Sequence, residues 1–145
     1  MTHINEMKIQ FLNKSVNEGL ARIAVAGFCA QLDLTIEVIA DIKTAVSEAV
    51  TNAIVHGYEN MSGFVTVCCA YSVTEIEITV SDYGRGIEDI EQARRPLYTS
   101  CADQERSGMG FTVIESFMDK LQVKSEEGEG TTVTMTKYLD LVSGL

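Results

Sequence analysis

From Met7 to Leu12 apolar and polar residues alternate, which predicts a strand with one buried face. Ser15, with Glu18 three residues later, reads as a capping box opening a helix through Ile23, Phe28 and Leu32, and Asp33-Leu34-Thr35 breaks that pattern. A longer helix is predicted from about Thr35 to His56, with the stripe Ile42, Val46, Ala49 and Ala53 on one edge and Gly57 placed to end it in the left-handed conformation. Asn60-Met61-Ser62-Gly63 is a loop. Phe64 to Tyr71 and Glu75 to Ser81, rich in β-branched and aromatic residues, then form an antiparallel hairpin.

Asp82 to Ser107 breaks the periodicity. This stretch holds glycine, charge and the only proline, Pro96, with a short helical piece near Glu88 to Ala93; long irregular segments of this kind are usually functional lids or disorder, and the glycine turns at both ends favour a lid. Periodicity resumes in a helix from Gly110 to Asp119, where Phe111, Ile114, Phe117 and Met118 share one face. Leu121 to Ser125 and Thr131 to Tyr138 close the pattern as a second hairpin around Glu126 to Gly130. The order strand, helix, helix, hairpin, lid, helix, hairpin predicts an α+β fold, with helices on one face of a largely antiparallel sheet.

Composition narrows the picture. A chain of 145 residues, 46% of them hydrophobic, suits one domain spanning 1–145. The net charge of -10 repels phosphate backbones and anionic bilayers, so neither nucleic acid nor a membrane is the expected partner, and a protein with a basic face is. Met1 to Gln10 is polar, and no apolar run reaches the roughly 20 residues that cross a bilayer, which places the chain in the cytoplasm. Cys29, Cys68, Cys69 and Cys101 lack C-x-x-C spacing and read as free thiols, with Cys68 and Cys69 on opposite faces of a strand and Cys101 a solvated thiol in the lid.

Three clusters carry candidate chemistry. A helix turns about 100° per residue, so Glu48, Asn52 and His56 form one inclined polar row beside the apolar stripe. Ala45, Val46, Ala49, Val50, Ala53, Ile54 and Val55 surround the first two, so part of the row faces a half-buried space, where an unpaired carboxylate is costly. A carboxylate can act as a base and an amide oxygen as a hard ligand, whereas His56 reads as a donor at the helix end. Asp82, followed by Gly84 and Gly86, lets the backbone pass close to a flat ring while the carboxylate accepts from an adenine amino group; an ordinary strand-end turn has the same composition. Gly108-Met109-Gly110 ahead of a helix offers free N–H groups to phosphate, and Arg106 beside it can clamp a terminal phosphate or stand as a solvated charge. No Gly-Lys-Ser or Gly-Lys-Thr ending exists, so this is not a Walker loop. Together the clusters describe an ATP site.

Glu48-x-x-x-Asn52-Ala53-x-x-His56-Gly57, Asp82-x-Gly84-x-Gly86-Ile87, Gly108-x-Gly110-Phe111 and Gly130-Thr131-Thr132 resemble, in order, the N, G1, G2 and final boxes of the GHKL superfamily of gyrase, chaperone, histidine kinase and mismatch-repair ATPases. The resemblance implies a two-layer α/β sandwich of Bergerat type with an ATP lid. Arg95-Pro96-Leu97-Tyr98-Thr99 and Glu105 to Phe111 extend it to the anti-sigma F family of spore-forming bacteria, over nearly the whole chain.

That family resemblance implies a homodimeric serine kinase that holds a sporulation sigma factor inactive and phosphorylates the anti-anti-sigma protein that would displace it. Carried over, Glu48 is the general base and Asn52 the Mg2+ ligand. Asp82 reads the adenine amino group, with Gly84, Gly86 and Ile87 beside the ring and Thr131 closing its far side. Gly108, Met109, Gly110 and Phe111 hold the phosphates, Arg106 reaches the γ-phosphate, and Arg22 docks protein partners. Two related readings keep the same site: a stress-response kinase of the same family, and a sigma-binding module gated by ATP without turnover.

Overall fold

The computed structural model describes residues 3–58, 61–84, 86, 94 and 107–139. Its elements are β1 (Asn5–Leu12), α1 (Asn17–Cys29), α2 (Ile36–Asn52), β2 (Phe64–Tyr71), β3 (Glu75–Asp82), α3 (Ser107–Phe117), β4 (Lys120–Glu126) and β5 (Gly130–Tyr138). The strands form one sheet in the order β1-β2-β3-β5-β4, and every neighbouring pair is antiparallel. The expected α+β architecture is present; of the predicted lid only 82–84, 86, 94 and 107 are among the described residues, and the short helix at 88–93 lies outside them.

Strand register explains which face is covered. Ile9, Val67, Val80, Val133 and Val123 stand opposite one another across all five strands, an unbroken apolar row under the helices. Met7, Cys69, Ile78, Met135 and Leu121 form a second such row. The other face is polar, with Thr66, Thr79, Thr132, Thr134 and Thr136 at alternate positions, and Gln10 donates to the Thr66 hydroxyl at 3.0 Å. Helix α2 packs between α1 and α3 and against β3. Its Ile42, Val46 and Val50 are fully buried, each stabilising the fold by about 1.5–3 kcal/mol.

Helix ends differ from their sequence signals in three places. Helix α1 starts at Asn17 after Val16, with no side-chain cap; the Glu18 N–H bonds the backbone carbonyl of Ser15 at 3.2 Å, and the Glu18 carboxylate turns to Arg22 Nε at 3.3 Å. The Ser15 capping box therefore does not form: the helix opens after Val16, so Ser15 is not its N-cap, and the Glu18 side chain turns to Arg22 instead. Helix α2 does open where expected, with the Thr35 hydroxyl accepting from Val38 N at 3.2 Å. It closes at Asn52 into a single π-helical turn, Ala53–Gly57, and Gly57 is not among the described glycines with positive φ, which are Gly86, Gly128 and Gly130. Gly57 is small for another reason, its contact with Asp82, taken up below. Finally α3 begins at Ser107, three residues before its predicted start, so Gly108-Met109-Gly110 lie inside its first turn. Those residues carry amide hydrogens that an α-helix leaves unbonded, so glycine costs little helix stability there.

The strand pair Cys68 and Cys69 splits as expected, with Cys69 fully buried and Cys68 half-buried on the open face. Burial pushes the Cys29 thiol from 9.0 up to about 11, and burial with the neighbouring Cys29 and Cys68 pushes Cys69 up to about 12. A raised thiol pKa means that the unfolded chain releases its proton first. The stability this represents is fully present below about pH 9 and is lost as pH rises through the folded values near 11 and 12. Urea unfolding midpoints measured from pH 8 upward are expected to fall along that course, and a Cys29→Ala, Cys69→Ala double variant should flatten the slope. An unchanged slope would remove the thiols as its cause.

Candidate nucleotide site

One step along the sheet from the apolar row, the same face changes character: Phe11, Val65, Asp82, Thr131 and Ser125 stand opposite one another. The polar half of this row forms one wall of the candidate site. Asp82 is only 6% exposed, and its Oδ1 accepts from Gly84 N at 3.0 Å. The Thr131 hydroxyl lies 2.8 Å from Ser125 Oγ, which also donates to the Gly130 carbonyl at 3.0 Å. Ser125 escaped the sequence reading because only register places it beside Thr131.

Glycines let three segments converge around Asp82. A Cβ on Gly57 would stand 2.7 Å from Asp82 Cγ, and one on Gly84 would stand 1.6 Å from the Gly57 carbonyl oxygen. On the other side Gly130, at φ +113°, has room for no Cβ because the Asp82 carbonyl oxygen would be 2.2 Å away. The chain leaving β3 is thus threaded between the π-helical turn and the start of β5. Its bare backbone passes where any side chain would collide, and the Asp82 carboxylate is held at the bottom of that passage.

The second wall comes from α2 and α3. Glu48 and Asn52 are half-buried, on the same side of α2 and one turn apart. The Asn52 side-chain oxygen is fully buried and has no hydrogen-bond partner among the described residues. Leaving such an oxygen unmet costs about 1–3 kcal/mol, so its presence points to a ligand that meets it. A Cβ on Gly110 would lie 2.4 Å from Asn52 Nδ2, so the first turn of α3 rests directly on this amide. A buried amide oxygen next to free helix N–H groups suits a hard cation carrying phosphate oxygens. The residues present therefore fit a magnesium nucleotide.

The remaining calls separate. The row Glu48, Asn52, His56 holds for its first two members, and the π-helical turn rotates half-buried His56 out of the α-helical register. Phe111 is 5% exposed and packs in the core with Ile114. Met109 lies in the first turn of α3, while Arg106 and Ile87 are outside the described residues. Arg22 is exposed on α1, which contacts α2, β1 and β2, whereas the cleft residues come from α2, β3, α3 and β5. Arg94 Nε donates to Glu115 of α3 at 3.0 Å. No group of three or more His, Cys, Asp or Glu able to hold a metal occurs among the described residues.

Comparison with known proteins meets this geometry. The sequence profile of the histidine kinase-like ATPase domain matches residues 12–137. Anti-sigma F factor of Thermoanaerobacter sp. (strain X514) is 58% identical over 139 residues, covering 96% of this chain and 97% of that protein. Anti-sigma F factor of Clostridium acetobutylicum is 57% identical over 138 residues, covering 95% and 96%. The chain belongs to the anti-sigma F family of histidine kinase-like ATPases.

Solved structures agree on the fold of this anti-sigma F family member. The RsbU and RsbW domains of a Mycobacterium tuberculosis protein superpose with a TM-score of 0.67 at 22% identity, over 92% of this chain and 32% of that one. The catalytic domain of histidine kinase ThkA gives 0.59 at 15% identity, over 91% and 95%. An ATP-binding domain is what the matched family has in common, and the site residues Asn52, Asp82, Gly110 and Thr131 fall within the matched span. No helix among the described residues is long and apolar enough to cross a membrane.

Proposed function

We propose that this chain, as a single domain spanning 1–145, is a cytoplasmic anti-sigma factor and protein-serine kinase. It binds a sigma factor of the sigma F type that serves sporulation, holds it inactive, and uses ATP to phosphorylate the anti-anti-sigma antagonist on a serine. The carrying observation is the buried Asn52 oxygen resting against Gly110 without a hydrogen-bond partner among the described residues, an acceptor that a magnesium nucleotide would meet. Relatives at 58% and 57% identity named Anti-sigma F factor supply the choice of partner.

Within this reading each residue has one task. Asp82 accepts from the adenine amino group while Gly84, Gly86 and Ile87 line the ring and Thr131 bounds it. Backbone N–H groups of Gly108, Met109 and Gly110 take phosphate oxygens at the positive end of α3, and Phe111 anchors that turn in the core. Asn52 would hold Mg2+, which when bound neutralises charge on the phosphates. Glu48 removes the proton from the substrate serine hydroxyl as its oxygen attacks the terminal phosphorus and the bond to ADP breaks. Arg106 balances the charge on the transferred group, and Arg22 on the exposed face of α1 docks the protein partners of a homodimer.

Transfer of radiolabelled terminal phosphate from ATP tests the reading. With the purified anti-anti-sigma protein present, label is expected on a serine of that protein. ATP binding without any labelled antagonist would replace the kinase with a nucleotide-gated binding module.

A further inference from the structure

Tyr58 follows Gly57 directly and is 8% exposed. Its hydroxyl donates to the Phe64 carbonyl at 2.5 Å and accepts from the backbone N–H of Tyr83 at 2.7 Å. One oxygen thus ties the first residue of β2 to the residue next after Asp82. The ring is held from behind as well, since a Cβ on Gly63 would lie 2.2 Å from Tyr58 Cε1. Asn13 fixes that loop in turn, donating to the Met61 carbonyl at 2.8 Å and accepting from Gly63 N at 3.1 Å. Burial, and then the nearby Asp82 charge, push the Tyr58 hydroxyl up from its ordinary value of 10.0 against the opposing pull of the Tyr83 N–H. The hydroxyl therefore keeps its proton and can donate and accept together.

The Asp82 carboxylate needs a fixed orientation to distinguish one ring substituent from another. Gly84 N steadies one of its oxygens, and Gly84 is itself one residue beyond the atom that Tyr58 holds. We propose that the Tyr58 hydroxyl is a positioning residue for adenine selectivity, locking the backbone at Tyr83 so that the Asp82 carboxylate faces the 6-amino group. This rests on the ATP reading of the site. Tyr58 touches no ligand in this role and acts through Asp82.

Tyr58→Phe removes one oxygen and leaves the Tyr83 N–H unmatched. Titration calorimetry would compare ATP with purine riboside triphosphate, the same nucleotide without the 6-amino group. The natural chain is expected to prefer ATP by about tenfold, the range of one well-placed buried hydrogen bond. In Tyr58→Phe that preference should collapse to about twofold or less, with affinity for the analogue unchanged, a pattern that general loosening of the fold would not produce. A folded Tyr58→Phe protein that keeps the full preference overturns the proposal alone, whereas a natural chain with no preference overturns the adenine reading and the proposal with it. Should Tyr58→Phe fail to fold, Gly63→Ala displaces the ring while keeping the hydroxyl, and an unchanged preference there is equally fatal.

Discussion

Glu48→Gln is expected to bind ATP within about threefold of the natural affinity and to lose phosphate transfer by about 100- to 10,000-fold. Glutamine has the shape of glutamate and keeps an acceptor oxygen, so the α2 face retains its packing against α3. Asn52, one turn further on, and Gly110, which rests against its amide, are untouched. On the proposed mechanism the loss falls on the step in which the serine proton leaves, so kcat should drop with little change in KM for the nucleotide. Single-turnover transfer from radiolabelled ATP to the antagonist measures it, alongside calorimetric affinity. Transfer at the natural rate would take Glu48 out of the base role while leaving the nucleotide site intact.

Gly84→Ala should remove nucleotide binding altogether and destabilise the fold by about 3 kcal/mol, the upper end of what an overpacked site costs. The added methyl would have to occupy a point 1.6 Å from the Gly57 carbonyl oxygen. Both partners are backbone, so no side chain can swing aside. The strap after β3 must lift from the π-helical turn, taking Asp82 with it and opening the passage to which we assign the adenine. Urea unfolding and ATP titration report the two halves of this effect. Gly27→Ala is the control: α1 is helical there and nothing lies within 4 Å of the new Cβ, so stability should rise by about 0.5–1 kcal/mol. Equal behaviour of the two variants would show that the close approach at Gly84 relaxes at no cost.

Those two positions also mark what could be read in advance. Runs of β-branched and aromatic residues placed β2 and β3 within one residue of their ends; β3 then alternates buried and half-buried positions, whereas β2 has buried residues on both faces. The stripe on α2 named Ile42, Val46 and Ala49 among its buried residues, while Ala45 and Val50, also buried, lie beside it and Ala53 falls in the π-helical turn. The order of strands had no such signal, and neither did the partnership of Thr131 with Ser125, since both depend on which strand slides in beside β3. Motif glycines were legible as places of close approach, but the sequence reading gave the space to the ligand. In the structure Gly57 makes room for Asp82, Gly84 for Gly57 and Gly110 for Asn52, so the glycines first fit the walls to each other. The π-helical turn was illegible because Ala53 to Gly57 has the composition of an ordinary helix end. Tyr58 was passed over because its two hydrogen-bond partners are backbone atoms 6 and 25 residues away.

Strand β5 sits between β3 and β4, although it follows both along the chain. During synthesis the ribosome therefore releases four strands before the one that joins them, and β3 waits with an open edge while β4 has nothing to pair with. The wall that carries Thr131 cannot exist until this late arrival inserts. Nucleotide capture is in this way reserved for chains translated through β5, and a truncated product, lacking that strand, would present an unpaired edge to aggregation rather than a half-working enzyme.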